Sequence, residues 1–225
     1  MKVLVFTSAY SKRAYMMRQS ILNGMNQTYK DFVHSVNITL DEGAQTKDLS
    51  PLYNDLLHPN LIINYSENAK YGFSHFNNMN TIRFVPNYEE YDLFIKMDDD
   101  DIYKSGYVEN IVNHFKNHPD TDIISTRIST QLNGYDIYKG DYDNLGGNPG
   151  NSTYHMPMTF AFNKRSLDSI LNLTRADVNG HDDKMWRTAW ERKGYKHVAI
   201  KNDDEIIWNV HGKNASVPDF YKIKD

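Results

Sequence analysis

Four consecutive aspartates, Asp98, Asp99, Asp100 and Asp101, follow directly on the mostly apolar run Leu93-Phe94-Ile95-Lys96-Met97. Carboxylates packed this closely repel one another, and a cation relieves the repulsion. Hard divalent ions take oxygen ligands; magnesium uses one or two protein carboxylates and completes its shell with water and substrate phosphates. Alternate residues of an extended chain face the same way, so a D-x-D pair can close on one ion. The run holds two such pairs, Asp98 with Asp100 and Asp99 with Asp101, and spacing alone does not choose between them. The plainer reading is a solvated turn whose aspartates cap the helix that begins near Tyr107. The hydrophobic strand immediately before the run favours a metal site.

Such a run needs elements to hold it. Val3 to Phe6 is a continuous apolar stretch ending in Thr7-Ser8, as expected of a buried parallel strand that delivers a polar loop. Ala14, Met17, Ile21, Leu22 and Met25 share one helical face. Phe32 to Leu40 alternates as a strand and stops at the turn Asp41-Glu42-Gly43. Leu61-Ile62-Ile63 is a third strand, followed by a polar segment through Asn77-Asn78 that contains a helix. Beyond the aspartates, Tyr107, Val108, Ile111, Val112 and Phe115 mark an amphipathic helix ended near Pro119. Asp122 to Ile124 and Met156 to Phe162 read as strands, and Arg165 to Leu173 as a helix. Met185, Trp186, Ala189 and Trp190 form another helix face, and strands lie near His197–Ile200 and Ile206–Val210. Gln131 to Thr153 is rich in Gly, Asn, Asp and Tyr without a period and reads as one long loop, the kind that is usually functional or mobile.

Strands alternating with helices give an α/β fold with a mostly parallel mixed sheet flanked by helices, in one domain over residues 1–225. Ligands of such sheets bind beyond the carboxyl ends of the strands. Thr7-Ser8, Asp41-Glu42, the Asp98 run and the segment after Phe162 are therefore expected to meet there.

The composition excludes several classes. With no cysteine there is no disulfide, thiolate metal site or cysteine nucleophile. A net charge of -4 gives no global pull toward nucleic acid or an anionic membrane. The N-terminal apolar stretch is too short for a signal-peptide core, and no stretch approaches the roughly 18 apolar residues of a spanning helix. A cytoplasmic protein is expected, with peripheral attachment to a membrane left open. The segment Gly140 to Ser152 is not a phosphate loop, since no lysine follows its glycines in the required register; it reads as a lid on the acceptor side.

At this point the sequence resembles a known family. Tyr91 to Asp101 is similar to the strand and D-x-D-D motif of family-2 glycosyltransferases with the GT-A (Rossmann-like) fold. Ser20-Ile21-Leu22 through Gln27-Thr28-Tyr29-Lys30-Asp31-Phe32 resembles the family's S-[IL]…Q-T-Y signature. Leu40-Asp41-Glu42-Gly43 matches its D-D-G turn, Asn68 to Asn77 its N-x-G…R-N segment, and His181-Asp182-Asp183 its E-D motif. Lys96 to Asp101 is also similar to the R-L-D-N-D-D variant of rhamnosyl-type transferases. The chain departs from the family in having Thr7-Ser8-Ala9-Tyr10 for P-x-Y-N, aspartate for the glutamate of E-D, and no arginine before Asn77.

The resemblance implies a metal-dependent, inverting transfer of a sugar from a nucleoside diphosphate donor to an acceptor hydroxyl of a glycan, lipid-linked glycan or other molecule. It implies Asp100 as ligand of manganese or magnesium, Asp98 at the ribose with Asp99 beside it on the donor side, and Asp101 in support. Asp41 would accept from the base, typically uracil. Thr7, Ser8 and Tyr10 would frame the nucleotide and Asn77 would join the donor site. His211 would be a further metal ligand, although a lone histidine also serves as an ordinary structural residue. Asp183 would be the general base with Asp182 beside it; the competing reading is helix capping, which aspartates at a helix start also provide. Lys70 or Lys213 could neutralise the diphosphate, or lie solvated at the surface. Two other functions fit the acidic run. A nucleotidyltransferase would show a glycine-rich basic loop after the first strand, whereas Ser8-Ala9-Tyr10-Ser11-Lys12-Arg13 has the basic residues without the glycine. A non-catalytic sugar or calcium module would bind without turnover.

Overall fold

The computed structural model describes residues 1–67, 74–127, 130–133, 136–139, 159–174, 182–201 and 206–210. The elements run β1 (Val3–Tyr10), α1 (Ala14–Met25), β2 (Phe32–Leu40), α2 (Thr46–Leu49), β3 (Leu61–Glu67), α3 (Ser74–Arg83) and β4 (Leu93–Lys96). They continue with β5 (Ile102–Tyr103), α4 (Tyr107–Asn117), β6 (Ile123–Arg127), β7 (Thr130–Asn133), β8 (Asp136–Lys139), β9 (Ala161–Asn163), α5 (Lys164–Ile170), α6 (Asp182–Arg192), β10 (His197–Lys201) and β11 (Ile206–Val210).

A seven-stranded sheet in the order β10-β6-β9-β4-β1-β2-β3 forms the centre, and a four-stranded sheet, β5-β11-β7-β8, stands beside it. In the large sheet β1 pairs in parallel with both β2 and β4, β2 with β3, and β6 with β10; β9 alone runs antiparallel, between β4 and β6. The α/β, mostly parallel expectation is met.

Side chains of a strand alternate between faces, and β1 shows the consequence. Leu4 and Phe6 pack with Phe94 and Phe162 under α3, α5 and α6, where Trp186 and Trp190 are fully enclosed. Val3 and Val5 face the other way, onto Tyr107, Val108, Ile111, Val112 and Phe115 of α4. Further along that face, Ala9 meets Met17 and Ile21 of α1. Gly24 lets α1 approach β2, because a Cβ there would sit 2.3 Å from Nδ1 of the buried His34. No helix among the described residues is long and apolar enough to cross a membrane.

Three expectations change. The segment from Gln131 is not loop throughout: residues 131–133 and 136–139 lie in the β7–β8 hairpin, each strand too short to raise a period among its polar neighbours. Of the strand expected over Met156–Phe162, residues 156–158 lie outside the described residues, 159 and 160 are not strand, and β9 covers Ala161–Asn163. Because β9 is antiparallel, Asn163 pairs with Leu93 at the start of β4. The segment after Phe162 therefore lies at the opposite end of the sheet from the aspartates, which corrects its expected place beside them.

Candidate functional site

The acidic run is built where β4 stops. Met97 N–H still donates to Phe6 O at 3.0 Å, and the chain then turns through the aspartates into β5. The Asp98 N–H donates to the hydroxyl of buried Tyr103 at 2.8 Å. The turn is braced from α1. Asn23 Nδ2 donates to Asp101 O at 2.9 Å, and Gln27 Nε2 donates to Lys104 O at 2.8 Å. Gln27 Oε1 also accepts from Val108 N–H, one of the N-terminal donors of α4 that the helix itself cannot satisfy. The Q-T-Y signature thus has a physical role: Gln27 and Thr28, which donates to Ser105 O, fix the loop that presents the carboxylates.

Asp98, Asp100 and Asp101 each offer an oxygen within 4.8 Å of the others. Two oxygens on opposite sides of one ion lie about 4.2 Å apart at magnesium distances, so small side-chain movements close this set on a divalent cation. The donor set is all oxygen, as hard ions require. Asp99 is buried, and its Oδ2 has no hydrogen-bond partner among the described residues. Burial pushes the Asp99 carboxyl well above the usual carboxylate range, the neighbouring Asp100 charge pushes it further, and Arg13 works against both. The residues present fit a divalent metal, and the grouping favours the Asp98–Asp100 register.

Lys96 and Arg13 both serve the run. Lys96 Nζ pairs with Asp98 Oδ1, and the Arg13 guanidinium donates from Nη1 to Asp100 Oδ2 and from Nη2 to Asp99 Oδ1, each at 2.7 Å. Arg13 closes the 3-10 turn Ser11–Arg13 between β1 and α1, and the whole turn faces carboxylates. Ser11 Oγ donates to Asp41 Oδ2 at 2.8 Å, Lys12 N–H donates to the same oxygen at 3.2 Å, and Lys12 Nζ lies 3.4 Å from Oδ1. Burial pushes the Asp41 carboxyl up, but the hydrogen bonds from Ser11 and Lys12 outweigh it and hold the group below its ordinary range. Asp41 is therefore an acceptor at neutral pH.

The turn also gathers other residues anticipated from the sequence. Arg13 lies over the Tyr10 ring, 5.4 Å from its centroid, and Asn77 Nδ2 donates to the Tyr10 hydroxyl at 3.2 Å. Tyr10, Asn77, Asp41, Asp99 and Asp100 thus form one connected neighbourhood. Thr7 and Ser8 are engaged elsewhere. The Thr7 hydroxyl is buried against His34 Nε2 at 3.0 Å, and Ser8 Oγ donates to Asn78 Oδ1 at 2.7 Å, fastening β1 to α3.

Asp182 and Asp183 open α6, whose direction follows from its two tryptophans. Trp186 Nε1 donates to His75 Nδ1 at 2.8 Å, beside the α3 turn that carries Asn77. Trp190 Nε1 donates to Ser166 O, at the end of the sheet where β4 starts. The first turn of α6 therefore stands at the same end of the sheet as the acidic run. His211, Lys70, Lys213 and the segment Gly140 to Ser152 lie outside the described residues. Sequence reasoning missed Arg13, Lys96 and Tyr103 as parts of the site. The basic pair Lys12-Arg13 just past the first strand is the signal that could have found the first of these.

No family model and no curated protein matches the sequence. Solved structures do match the fold. TarS of S. aureus, residues 1–349 in complex with UDP, aligns with a TM-score of 0.63 at 14% identity, over 94% of this chain and 61% of that one. A longer TarS structure gives 0.65 at 15% identity, over 95% of this chain and 37% of that one. The mannosyltransferase PcManGT from Pyrobaculum calidifontis, in complex with GDP-Man and Mn2+, gives 0.58 at 16% identity, over 95% and 58%. The chain spans less than two thirds of the length of each. Likeness at these identities is likeness of fold, and the fold is GT-A.

Proposed function

We propose that this chain is a divalent-metal-dependent glycosyltransferase that moves a sugar from a nucleoside diphosphate donor to an acceptor hydroxyl, with inversion at the anomeric carbon. The observation that carries the reading is the oxygen cluster of Asp98, Asp100 and Asp101 at the carboxyl end of β4. This is where open α/β sheets receive ligands, and the fold is shared with proteins solved with UDP, UDP-GlcNAc, and GDP-Man with Mn2+.

In this reading Asp100 holds the ion, with Asp98 and Asp101 near enough to share it and Asp98 also within reach of the ribose. When bound, the cation offsets charge developing on the departing diphosphate. Asp41 accepts from the base, and Tyr10, steadied by Asn77, supplies a ring to stack on it. Asp183 takes the proton of the acceptor hydroxyl as that oxygen bonds to the anomeric carbon and the bond to the diphosphate breaks. The position of the first turn of α6 supports this role.

Calorimetric titration with UDP and with GDP, with and without manganese, tests the binding half of the reading. One nucleotide should bind only when the metal is present. Release of nucleoside diphosphate from a matching sugar donor, stopped by a chelator, tests the chemistry. Pyrophosphate release from a nucleoside triphosphate and a sugar phosphate would instead assign a nucleotidyltransferase, and metal binding with no turnover of any nucleotide sugar a binding module.

A further inference from the structure

Arg13 is set in the site in a way that the transfer chemistry alone does not require. Its fork spans Asp99 and Asp100, with both contacts at 2.7 Å, so it holds one of the oxygens that a metal on Asp100 would draw upon. A guanidinium and a divalent ion on one carboxylate would be like charges a few ångströms apart. In a partly buried site such proximity is strongly unfavourable. The two partners of Arg13 differ in access. Asp99 is 2% exposed, whereas Asp100 and Arg13 keep 12% and 19% of their side chains open. Arg13 comes from the turn between β1 and α1, while Lys96, a second cation on the run, is 6% exposed and belongs to β4 itself.

We propose that Arg13 is an exchangeable counter-cation of this site: it yields Asp100 to the divalent ion and passes to the diphosphate of the donor. The inference rests on the glycosyltransferase reading and adds to it an order of loading. Charge makes the exchange favourable. The run gathers Asp98, Asp100 and Asp101 oxygens within 4.8 Å of one another, a set that suits a divalent ion, and the diphosphate that follows brings new negative charge beside it. A planar guanidinium matches phosphate oxygens two at a time, which suits Arg13 to the second position as it does to the first. Metal alone must displace Arg13 without giving it a new partner; metal with diphosphate supplies one. Metal and donor therefore bind cooperatively, and Arg13 is the positioning residue that couples them.

The test uses the full chain and two titrations, manganese alone followed by paramagnetic resonance of the free ion, and UDP or GDP at saturating manganese followed by calorimetry. Arg13→Gln should bind manganese alone about tenfold more tightly than the wild type, and the nucleotide about tenfold more weakly, shifts of opposite sign. Arg13→Lys, which keeps the charge and loses the fork, should bind manganese with an affinity between the two. If Arg13→Gln does not fold, as read from circular dichroism, the same pair of opposite shifts in Arg13→Lys decides the matter. A parallel fall in both affinities would make Arg13 a fixed strut for the carboxylates, and unchanged affinities would give it no part; either overturns the proposal. A wild type that binds neither manganese nor nucleotide overturns the glycosyltransferase reading along with it, whereas a wild type that binds both leaves that reading standing whatever Arg13 does.

Discussion

The central sheet carries buried acid at both ends, and the two ends treat it differently. At the end where β6 begins, Asp122 is fully answered. Its carboxylate accepts from Arg165 Nη2 at 2.6 Å, from Asn163 Nδ2 at 2.9 Å and from Lys196 N–H at 2.9 Å. Burial pushes this carboxyl up, but the hydrogen bonds from Arg165 and Asn163 outweigh it and hold the group below its ordinary range. One charge thereby ties β6, β9, α5 and β10 together. At the other end Arg13 bridges Asp99 and Asp100 and Lys96 pairs with Asp98, Asp99 is pushed upward, and one of its oxygens has no partner among the described residues. A satisfied buried charge builds structure. Crowded carboxylates on a turn braced by Tyr103, Asn23 and Gln27 serve structure poorly and suit the capture of a cation.

The largest effect that could break this contrast concerns Asp100. Asp100→Asn should lower kcat/KM for donor turnover by about a thousandfold, the scale of losing a preorganised electrostatic contact, without lowering the unfolding temperature. A destabilised variant would place the acidic run on the structural side of the comparison. Asp183→Ala should lower kcat about a hundredfold or more while leaving manganese and nucleotide affinity intact, as removal of a general base does. Retained turnover would remove that role. At the other end the pattern reverses. Asp122→Ala should cost about 3 kcal/mol of stability in urea denaturation, by stranding the donors that converge on it, and should leave nucleotide binding unchanged at temperatures where the chain stays folded.

A smaller, pH-dependent effect belongs to neither end. His34 is buried beneath α1, and burial lowers its pKa to about 4. Its folded value lies below the unfolded one, so the unfolded chain takes up the proton first. Stability is full above the unfolded value and falls as the pH drops toward the folded one, by about 1.5 kcal/mol between pH 6.5 and pH 5. Denaturation curves at those two values, compared with those of His34→Gln, should show the loss in the wild type and little of it in the variant.

Much of this arrangement could be read from the residues because local pattern and position coincide. Leu93 to Met97 is an apolar strand interrupted by four aspartates, and both its burial and the crowding at its end follow from the sequence. Asp41 was legible for the same reason, at the stop of an alternating run. The direction of β9 was not, since alternation is the same in either sense and only pairing with Leu93 and Ile123 reveals it. The strands β5, β7 and β8 were missed because two to four residues set no period. Arg13 was missed as a partner of Asp99 and Asp100 because 86 and 87 residues separate them, and a basic residue in a turn looks like any solvated lysine or arginine until the sheet places β1 beside β4.

Diffraction from crystals soaked in manganese and UDP or GDP, at a wavelength where manganese scatters anomalously, tests the central claim most directly. The account predicts one manganese peak within roughly 2.1 Å of an Asp100 oxygen, bridged to the nucleotide's phosphates, with Arg13 turned from Asp100 to the diphosphate. Nucleotide bound away from Asp98–Asp101, or no manganese at those carboxylates, would contradict it.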